Sequence, residues 1–224
     1  MAEPILWLGG WASDLACWRD ELAGLYPGRE HRFLDAHAVL AAPGRLATAA
    51  AGLDAGATLV AWSLGSLILH KTLAAGWRPA CRLVSASPVF DFCRADGPWP
   101  PAAVKRMSRR LQGERAAVLA EFRSLALGNS GVTHPGRAEA WTRQASAYPA
   151  DSLAAGLAYL AETRAVPAEV PAGARHFFLA SAHDPIAPLA RPDIAGRNWA
   201  EYPEGHTPFL DYPALLSPFL AEAG

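Results

Sequence analysis

One segment limits the possible folds of this sequence more than any other: a short uncharged strand that leads through a serine directly into a helix. Residues 58–62 carry no charge, as expected of a strand that is covered on both faces of a sheet. Ser63 follows, and an apolar helical stretch over residues 64–75 ends at Gly76. A serine on a sharp strand-to-helix turn projects its hydroxyl, with the positive end of the helix behind it. The segment therefore predicts a parallel α/β sheet in which Ser63 is a candidate nucleophile.

A serine nucleophile needs a base and an acid, and two later loops supply candidates for both. Residues 175–182 form another apolar strand pattern, and Asp184 follows on a loop rich in turn formers. A short strand over residues 198–202 leads to His206, just before the last helix. Because the carboxyl ends of parallel strands share one edge of the sheet, the three side chains should meet there. We predict that His206 takes the proton of the serine hydroxyl and that Asp184 orients His206.

Other assignments remain open for several of these residues. Asp91 also follows a core strand and is an alternative acid, while Asp184 could instead cap its own loop. His183 is adjacent to Asp184 but should point away from the site. His206 could be a structural loop histidine, and the other histidines, His37 among them, are expected at the surface or in structural hydrogen bonds. No metal site is predicted, because the spacing of His31, Asp35 and His37 does not match a zinc-binding motif.

Two backbone N–H groups are candidates for stabilising a negatively charged tetrahedral intermediate. The first belongs to Leu64, the residue after the candidate nucleophile. The second is expected in the loop after the strand over residues 5–8, where two glycines precede Trp11 and permit a tight turn. We predict that the N–H groups of Trp11 and Leu64 form this oxyanion hole.

The composition indicates a globular protein. With 224 residues, 51% hydrophobic content and a formal net charge of −1, the chain is expected to be one globular domain and a monomer, with no nucleic-acid partner. Three widely spaced cysteines without a C-x-x-C pair fit a reducing compartment. No targeting signal, membrane span or cofactor motif is predicted, so the expected location is cytoplasmic.

The strand–helix alternation is interrupted once. From residue 89 to about residue 166 no strand pattern occurs, and helices are predicted instead over residues 102–112, 114–127, 137–148 and 151–163. We predict a helical lid at 89–166 above a core formed by residues 1–88 and 167–224. The remaining predicted strands cover residues 31–34 and 82–87, and the remaining helices cover residues 15–25, 46–53 and 209–222.

The predicted lid is basic. Residues 102–147 contain eight basic and three acidic residues. The cluster is either a solvated helical face or a surface that attracts an acidic partner. The candidate partner-binding residues are Arg106, Arg109, Arg110, Arg115 and Arg123.

Several segments together resemble the pimeloyl-acyl-carrier-protein methyl ester esterase of biotin synthesis, within the α/β-hydrolase superfamily. The matching segments are residues 10–11 with Trp18, residues 62–65 (Trp-Ser-Leu-Gly), residues 86–90 (Ala-Ser-Pro-Val-Phe), Asp184 with Pro188, residues 205–209 (Gly-His-Thr-Pro-Phe) and residues 212–213.

The resemblance implies an α/β-hydrolase fold, hydrolysis of a methyl ester on a carrier-bound pimeloyl chain, and acyl carrier protein held by lid arginines. Trp11 and Leu64 match the oxyanion positions of the family, and Trp11 and Phe122 are candidates for lining its acyl channel. Phe90 and Phe122 each either line this pocket or pack beneath the lid. The sequence departs from the family at Gly9, where histidine is usual, at Ala61, where glycine is usual, and in its shorter length.

Two other classes of function share these features. A thioesterase, a lipase-like esterase or a C–C bond hydrolase would use the same three side chains and differ only in the pocket. A non-catalytic binding module of the same fold is the second alternative.

Overall fold

A six-stranded parallel sheet forms the centre of the protein. The computed structural model describes residues 3–42, 44–166, 175–189, 194 and 196–221. Across the sheet the strands are ordered β2-β1-β3-β4-β5-β6, and every neighbouring pair is parallel. The strands are β1 (Pro4–Leu8), β2 (Glu30–Leu34), β3 (Thr58–Trp62), β4 (Arg82–Ala86), β5 (His176–Ala180) and β6 (Asn198–Glu201).

Burial follows the position of each strand in the sheet. Every residue of the central strands β3 and β4 is buried, because helices cover both faces there. The edge strands β2 and β6 are mostly half-buried or exposed. All six predicted strands are confirmed, each within two residues of its predicted limits.

The helices of the first half connect successive strands. A 3₁₀ turn (Ala16–Trp18) continues into α1 (Arg19–Leu25), and α3 (Arg45–Ala50) and α4 (Leu64–Ala74) precede and follow β3. One further helix, α2 (Ala36–Ala41), was not expected from the sequence. It begins at Asp35, whose side chain accepts a hydrogen bond from the N–H of His37 as an N-cap.

The chain leaves the sheet after β4 and forms four helices before it returns in β5. These are α5 (Pro101–Arg110), α6 (Arg115–Thr133), α7 (Pro135–Ala145) and α8 (Ala150–Glu162), and together they are called the helical insertion here. Helix α6 extends six residues beyond its predicted end, with a kink at Gly128, where φ is 49° and ψ is −131°. Residues 167–174, which belong to the predicted core, lie outside the described residues.

The prediction of one final helix over residues 209–222 is wrong. The segment forms α9 (Pro208–Asp211) and α10 (Pro213–Ala221), which are separated at Tyr212. Tyr212 has φ −132° and ψ 55°, outside the helical region, because the ring of the following proline disfavours the α conformation there.

Three indole N–H groups hold the insertion on the sheet. Trp11 donates to the carbonyl of Leu153 at 2.9 Å, and Trp18 donates to the carbonyl of Arg137 at 3.2 Å. In the opposite direction, Trp141 of the insertion donates to the carbonyl of Ala12 at 2.7 Å. These buried bonds place the insertion directly over the loop that follows β1. None of the helices described here has the length and apolar character that crossing a membrane requires.

Candidate active site

Ser63 occupies the sharp turn between β3 and α4. Its φ of 53° and ψ of −117° are unusual for a residue with a side chain, and such strain is typical of functional turns. The Ser63 N–H donates to the carbonyl of Ala86 on β4 at 3.1 Å, which fixes the turn to the sheet. The turn also requires a glycine two residues after the serine, because a Cβ at Gly65 would lie 2.5 Å from the backbone oxygen of Gly9.

The structure brings the three predicted polar side chains together in one hydrogen-bonded chain. The Oγ of Ser63 lies 2.9 Å from Nε2 of His206, and Nδ1 of His206 lies 2.7 Å from Oδ2 of Asp184. All three residues are buried, with 4%, 0% and 2% of their surfaces exposed. Since a carboxylate only accepts, the Nδ1 of His206 carries its proton, and Nε2 is free to accept from the serine hydroxyl.

Asp184 is held in its charged form by several donors. The N–H groups of Ile186 and Ala187 donate to its Oδ1 at 2.8 and 2.9 Å, and the hydroxyl of Tyr202 donates to its Oδ2 at 2.7 Å. Burial alone would raise the pKa of Asp184, but attraction to the imidazolium form of His206 and hydrogen bonds from His206, Ala187 and Tyr202 outweigh it and lower the pKa. Burial also raises the pKa of Tyr202, with a further contribution from Asp184, so its hydroxyl stays a donor.

The backbone of His206 is fixed by three separate elements. Its carbonyl accepts from Nε1 of Trp62 at 2.6 Å and from Oγ of Ser87 at 2.9 Å. Its N–H donates to the carbonyl of Ala126 on α6 at 3.2 Å, so the insertion also contributes. The Oγ of Ser87 lies a further 2.9 Å from the hydroxyl of Tyr202.

Sequence reasoning missed the supporting roles of Ser87 and Tyr202. Ser87 directly follows β4 and Tyr202 directly follows β6, but nothing in the spacing of either residue indicated its partner. The alternative acid Asp91 is not in this chain of bonds, because it pairs with Arg164 at 3.3 Å. His183 is exposed, as expected.

Two backbone N–H groups near Ser63 lack an acceptor within the part of the chain that the structure describes. They belong to Trp11 and Leu64, the predicted pair. Leu64 is the first residue of α4, at the positive end of the helix. The loop that carries Trp11 passes close to the serine, since a Cβ at Gly10 would lie 3.2 Å from the Cβ of Ser63. Both groups are therefore available to an anionic oxygen.

The three predicted substrate-binding residues fall into two places. The rings of Trp11 and Phe122 pack edge to face with centroids 4.7 Å apart, and both are buried. Phe90 instead stacks on the ring of His70 at 4.5 Å. It also lines a cavity of about 450 Å³ beside the loop of Asp184, whose lining does not include Ser63, Trp11 or Phe122.

The five predicted partner-binding arginines differ in their surroundings. Arg106 and Arg109 are exposed, and their side chains have no ion-pair or hydrogen-bond partner among the described residues. Arg110 binds Glu114 and Glu121 at 2.7 Å each, and these hydrogen bonds raise its pKa. The remaining two have uncharged partners and keep their charge uncompensated: Arg115 donates to the carbonyl of Tyr148, and Arg123 donates to Oγ1 of Thr142.

Over the described ranges, no group of three or more histidine, cysteine, aspartate or glutamate residues is arranged to hold a metal ion. The arrangement at Ser63 can carry out acid–base and nucleophilic chemistry with its own side chains.

Solved structures with the same fold come from several hydrolases. A hydrolase from Oleispira antarctica is 13% identical with a TM-score of 0.74, over 98% of this chain and 90% of that one. An esterase from Exiguobacterium antarcticum is 16% identical with a TM-score of 0.73, over 98% of this chain and 90% of that one. An enol-lactonase from Burkholderia xenovorans is 15% identical with a TM-score of 0.73, over 99% of this chain and 93% of that one.

No family model and no curated protein matches the sequence. The structural likeness shows that the chain has the α/β-hydrolase fold.

Proposed function

We propose that this protein is a serine hydrolase that cleaves carboxylic esters. The observation that carries the proposal is the unbroken chain of hydrogen bonds from Ser63 through His206 to Asp184. A buried carboxylate and a histidine in one tautomer are what a serine hydroxyl needs to act as a nucleophile. The structural likeness to an esterase and an enol-lactonase supports the same class of reaction.

In the proposed mechanism, Oγ of Ser63 attacks the ester carbonyl carbon while its proton moves to Nε2 of His206. The carbonyl oxygen becomes an oxyanion, which accepts hydrogen bonds from the N–H groups of Trp11 and Leu64. The C–O bond to the alcohol breaks, and the alcohol leaves with the proton from His206. Water then attacks the acyl-enzyme, again losing a proton to His206, and the acid is released as the serine recovers its hydroxyl. Asp184 stabilises the positive imidazolium in both halves.

We further propose, on the basis of the family resemblance, that the ester is a methyl ester of a pimeloyl chain attached to acyl carrier protein. The buried pair Trp11 and Phe122 supports an apolar acyl site next to the oxyanion loop. The uncompensated charges of Arg106 and Arg109 support an acidic carrier. The cavity at Phe90 lies beside the loop of Asp184 and is lined by apolar side chains together with Asp91, Arg94 and Asp96, which supports it as the place for a distal, partly polar part of the substrate.

The location and assembly state complete the proposal. We propose a cytoplasmic monomer, and the unpaired thiols of the three cysteines in the described chain support a reducing compartment. Size-exclusion chromatography with light scattering measures the assembly state, and a dimer mass would contradict the proposed monomer.

The first experiment tests ester hydrolysis itself with a short-chain p-nitrophenyl ester. We expect Ser63→Ala to lower kcat by at least about 10³-fold, because the nucleophile is lost. Asp184→Asn should lower kcat by up to about 10⁴-fold, because the amide can favour the wrong tautomer of His206. The matched control is Ser217→Ala, an exposed serine on α10, which should retain full activity. Equal turnover by the wild type and Ser63→Ala would refute the proposed serine esterase activity and favour the alternative of a non-catalytic binding module.

The second experiment tests the substrate. The kcat/KM values are compared for methyl pimeloyl carrier, the free methyl ester and an acyl thioester. A joint Arg106→Glu and Arg109→Glu variant should raise KM for the carrier-bound ester by about 10-fold or more while the free ester is unaffected. The control is Arg45→Glu, an exposed charge on α3. A higher kcat/KM for the thioester would assign a thioesterase, and equal effects on both esters would remove the insertion as the carrier-docking surface.

A further inference from the structure

The loop after β1, residues 9–15, has strained backbone beside Ser63. Ala12 has φ 58° and Leu15 has φ 64°, and both are conformations that residues with side chains adopt rarely. The same loop carries the N–H of Trp11. An oxyanion donor is effective only when it is held in place before the charge develops. Within the loop, the N–H of Ser13 donates to the carbonyl of Gly10 and the N–H of Leu15 donates to Oγ of Ser13, but neither bond involves the polar backbone groups of Ala12.

Both polar backbone groups of Ala12 are held by side chains from other elements. Its N–H donates to Nε2 of His37 on α2 at 3.1 Å, and its carbonyl accepts from Nε1 of Trp141 on α7 at 2.7 Å. The N–H of Ala12 belongs to the peptide that directly follows the residue Trp11. Fixing that peptide therefore limits the rotation of the neighbouring peptide, which carries the N–H of Trp11.

The ring of His37 is itself fixed in position and in protonation. Its Nδ1 lies 3.1 Å from the carbonyl of Ser152 on α8, so Nδ1 is the donor and Nε2 is left as the acceptor for Ala12. The residue is 5% exposed. Helix α8 packs against the ring through Gly156, where a Cβ would lie 2.7 Å from Cε1 of His37 and 2.9 Å from Cδ1 of Trp11. His37 therefore connects the insertion to the loop beside the serine.

We infer that His37 is a positioning residue for the oxyanion site. As a fixed acceptor for the N–H of Ala12, it holds the strained loop so that the N–H of Trp11 stays directed at the reacting carbonyl oxygen. The inference rests on the proposed ester hydrolysis. It gives His37 a part in the reaction, although no contact with the substrate is required of it.

The test uses two amide substitutions, each of which can keep only one of the two hydrogen bonds that the imidazole makes with Ala12 and Ser152. His37→Gln can place an acceptor near the position of Nε2, whereas His37→Asn can keep only a donor near Nδ1. With a p-nitrophenyl ester, His37→Asn should lower kcat by about 10- to 100-fold while KM changes less than about 3-fold. His37→Gln should stay within about 5-fold of the wild type.

A second measurement separates the oxyanion site from general damage. A phenylboronic acid forms a tetrahedral adduct with a reactive serine, and one of its hydroxyl groups takes the place of the oxyanion. Its inhibition constant should rise in His37→Asn in proportion to the loss in kcat. The matched control is His31→Gln, because His31 also accepts a bond, from Nε1 of Trp7 at 3.0 Å, and lies 3.1 Å from the carbonyl of Tyr26. That variant should keep kcat even if its melting temperature falls.

A folded His37→Asn enzyme with kcat within about 3-fold of the wild type would overturn the inference, as would an equal loss in His31→Gln or an unchanged boronate constant. If His37→Asn does not fold, His37→Met replaces it, because methionine fills the space of the ring but bonds neither the N–H of Ala12 nor the carbonyl of Ser152. The expected and the contradicting results are the same for this variant. Absence of Ser63-dependent turnover in the wild type would instead contradict the proposed function itself.

Discussion

Replacing Arg137 should destabilise the whole protein, because this buried cation joins the insertion to the sheet. Its Nε donates to Glu21 on α1 and its Nη1 donates to Asp211 on α9, each at 2.7 Å. A third donor, Nη2, reaches the carbonyl of Leu210 at 3.3 Å. The side chain is only 7% exposed. Arg137→Met would keep most of the packing volume but leave two carboxylates without their cation.

The size of the effect follows from the burial of the two carboxylates. Breaking a buried ion pair by removing one partner costs about 3–5 kcal/mol. The side chain of Asp211 is 13% exposed, so its pair with Arg137 is close to the fully buried case. The side chain of Glu21 is 31% exposed, so water can hydrate it when the cation is removed. We therefore expect a loss of about 2–4 kcal/mol in the free energy of unfolding. For a domain of this size, that corresponds to a fall in Tm of about 5–15 °C.

The assay is urea unfolding followed by tryptophan fluorescence, since the indoles of Trp18 and Trp141 lie beside this ion pair. Arg110→Met is the matched control, because Arg110 also binds two carboxylates but does so at the surface of the insertion. Its ion pairs are solvated and should contribute little. A loss for Arg137→Met that is no larger than that for Arg110→Met would refute the reasoning, because burial would then not determine the cost.

Three further predictions concern other parts of the molecule. Burial lowers the pKa of His70 to about 3, so between pH 6.5 and about 3 the unfolded chain binds a proton that the folded chain does not, and stability should fall as the pH falls. In His70→Gln, urea unfolding should show a dependence of the unfolding free energy on pH that is smaller by up to about 1.4 kcal/mol per pH unit. Gly65→Ala should lower both Tm and kcat, because its Cβ would meet the backbone of the loop after β1, whereas Gly113→Ala meets nothing and should leave both unchanged. Burial raises the pKa values of the thiols of Cys81 and Cys17 to about 11 and about 12, so both should react with a disulfide reagent at pH 8 far more slowly than in urea. Rapid reaction of the native protein at both positions would contradict the burial of Cys81 and the half-buried position of Cys17.

The sheet and the candidate site were predictable because the same constraint acts on both. A strand in a covered parallel sheet must be apolar along its length, so a polar residue directly after it marks the strand end. Ser63 directly follows such a strand, whereas Asp184 and His206 lie four and five residues after β5 and β6, on loops at the same edge of the sheet. The structure joins the three through hydrogen-bonding distances from Ser63 to His206 and from His206 to Asp184. Their supporting partners could not be predicted, because the contact of Tyr202 with Asp184 depends on how two loops pack.

The elements that were missed are short or depend on partners distant in the sequence. Helix α2 has six residues, too few to show a periodic apolar pattern, and only its N-cap Asp35 marks it. The division of the last helix at Tyr212 was indicated by Pro213 and could have been predicted. The ion pair of Arg110 with Glu114 follows from their spacing of four residues, but its second partner, Glu121, comes from the next helix.

The position of the insertion has a consequence for how a protein of this fold can change over evolution. Strands β4 and β5 pair directly, with Val84 opposite Phe177, although some ninety residues of chain separate them. The ladder between them does not depend on what the intervening chain contains. New specificities could therefore be acquired by exchanging this one segment as a cassette, provided that the replacement still supplies anchors for the backbone of Ala12.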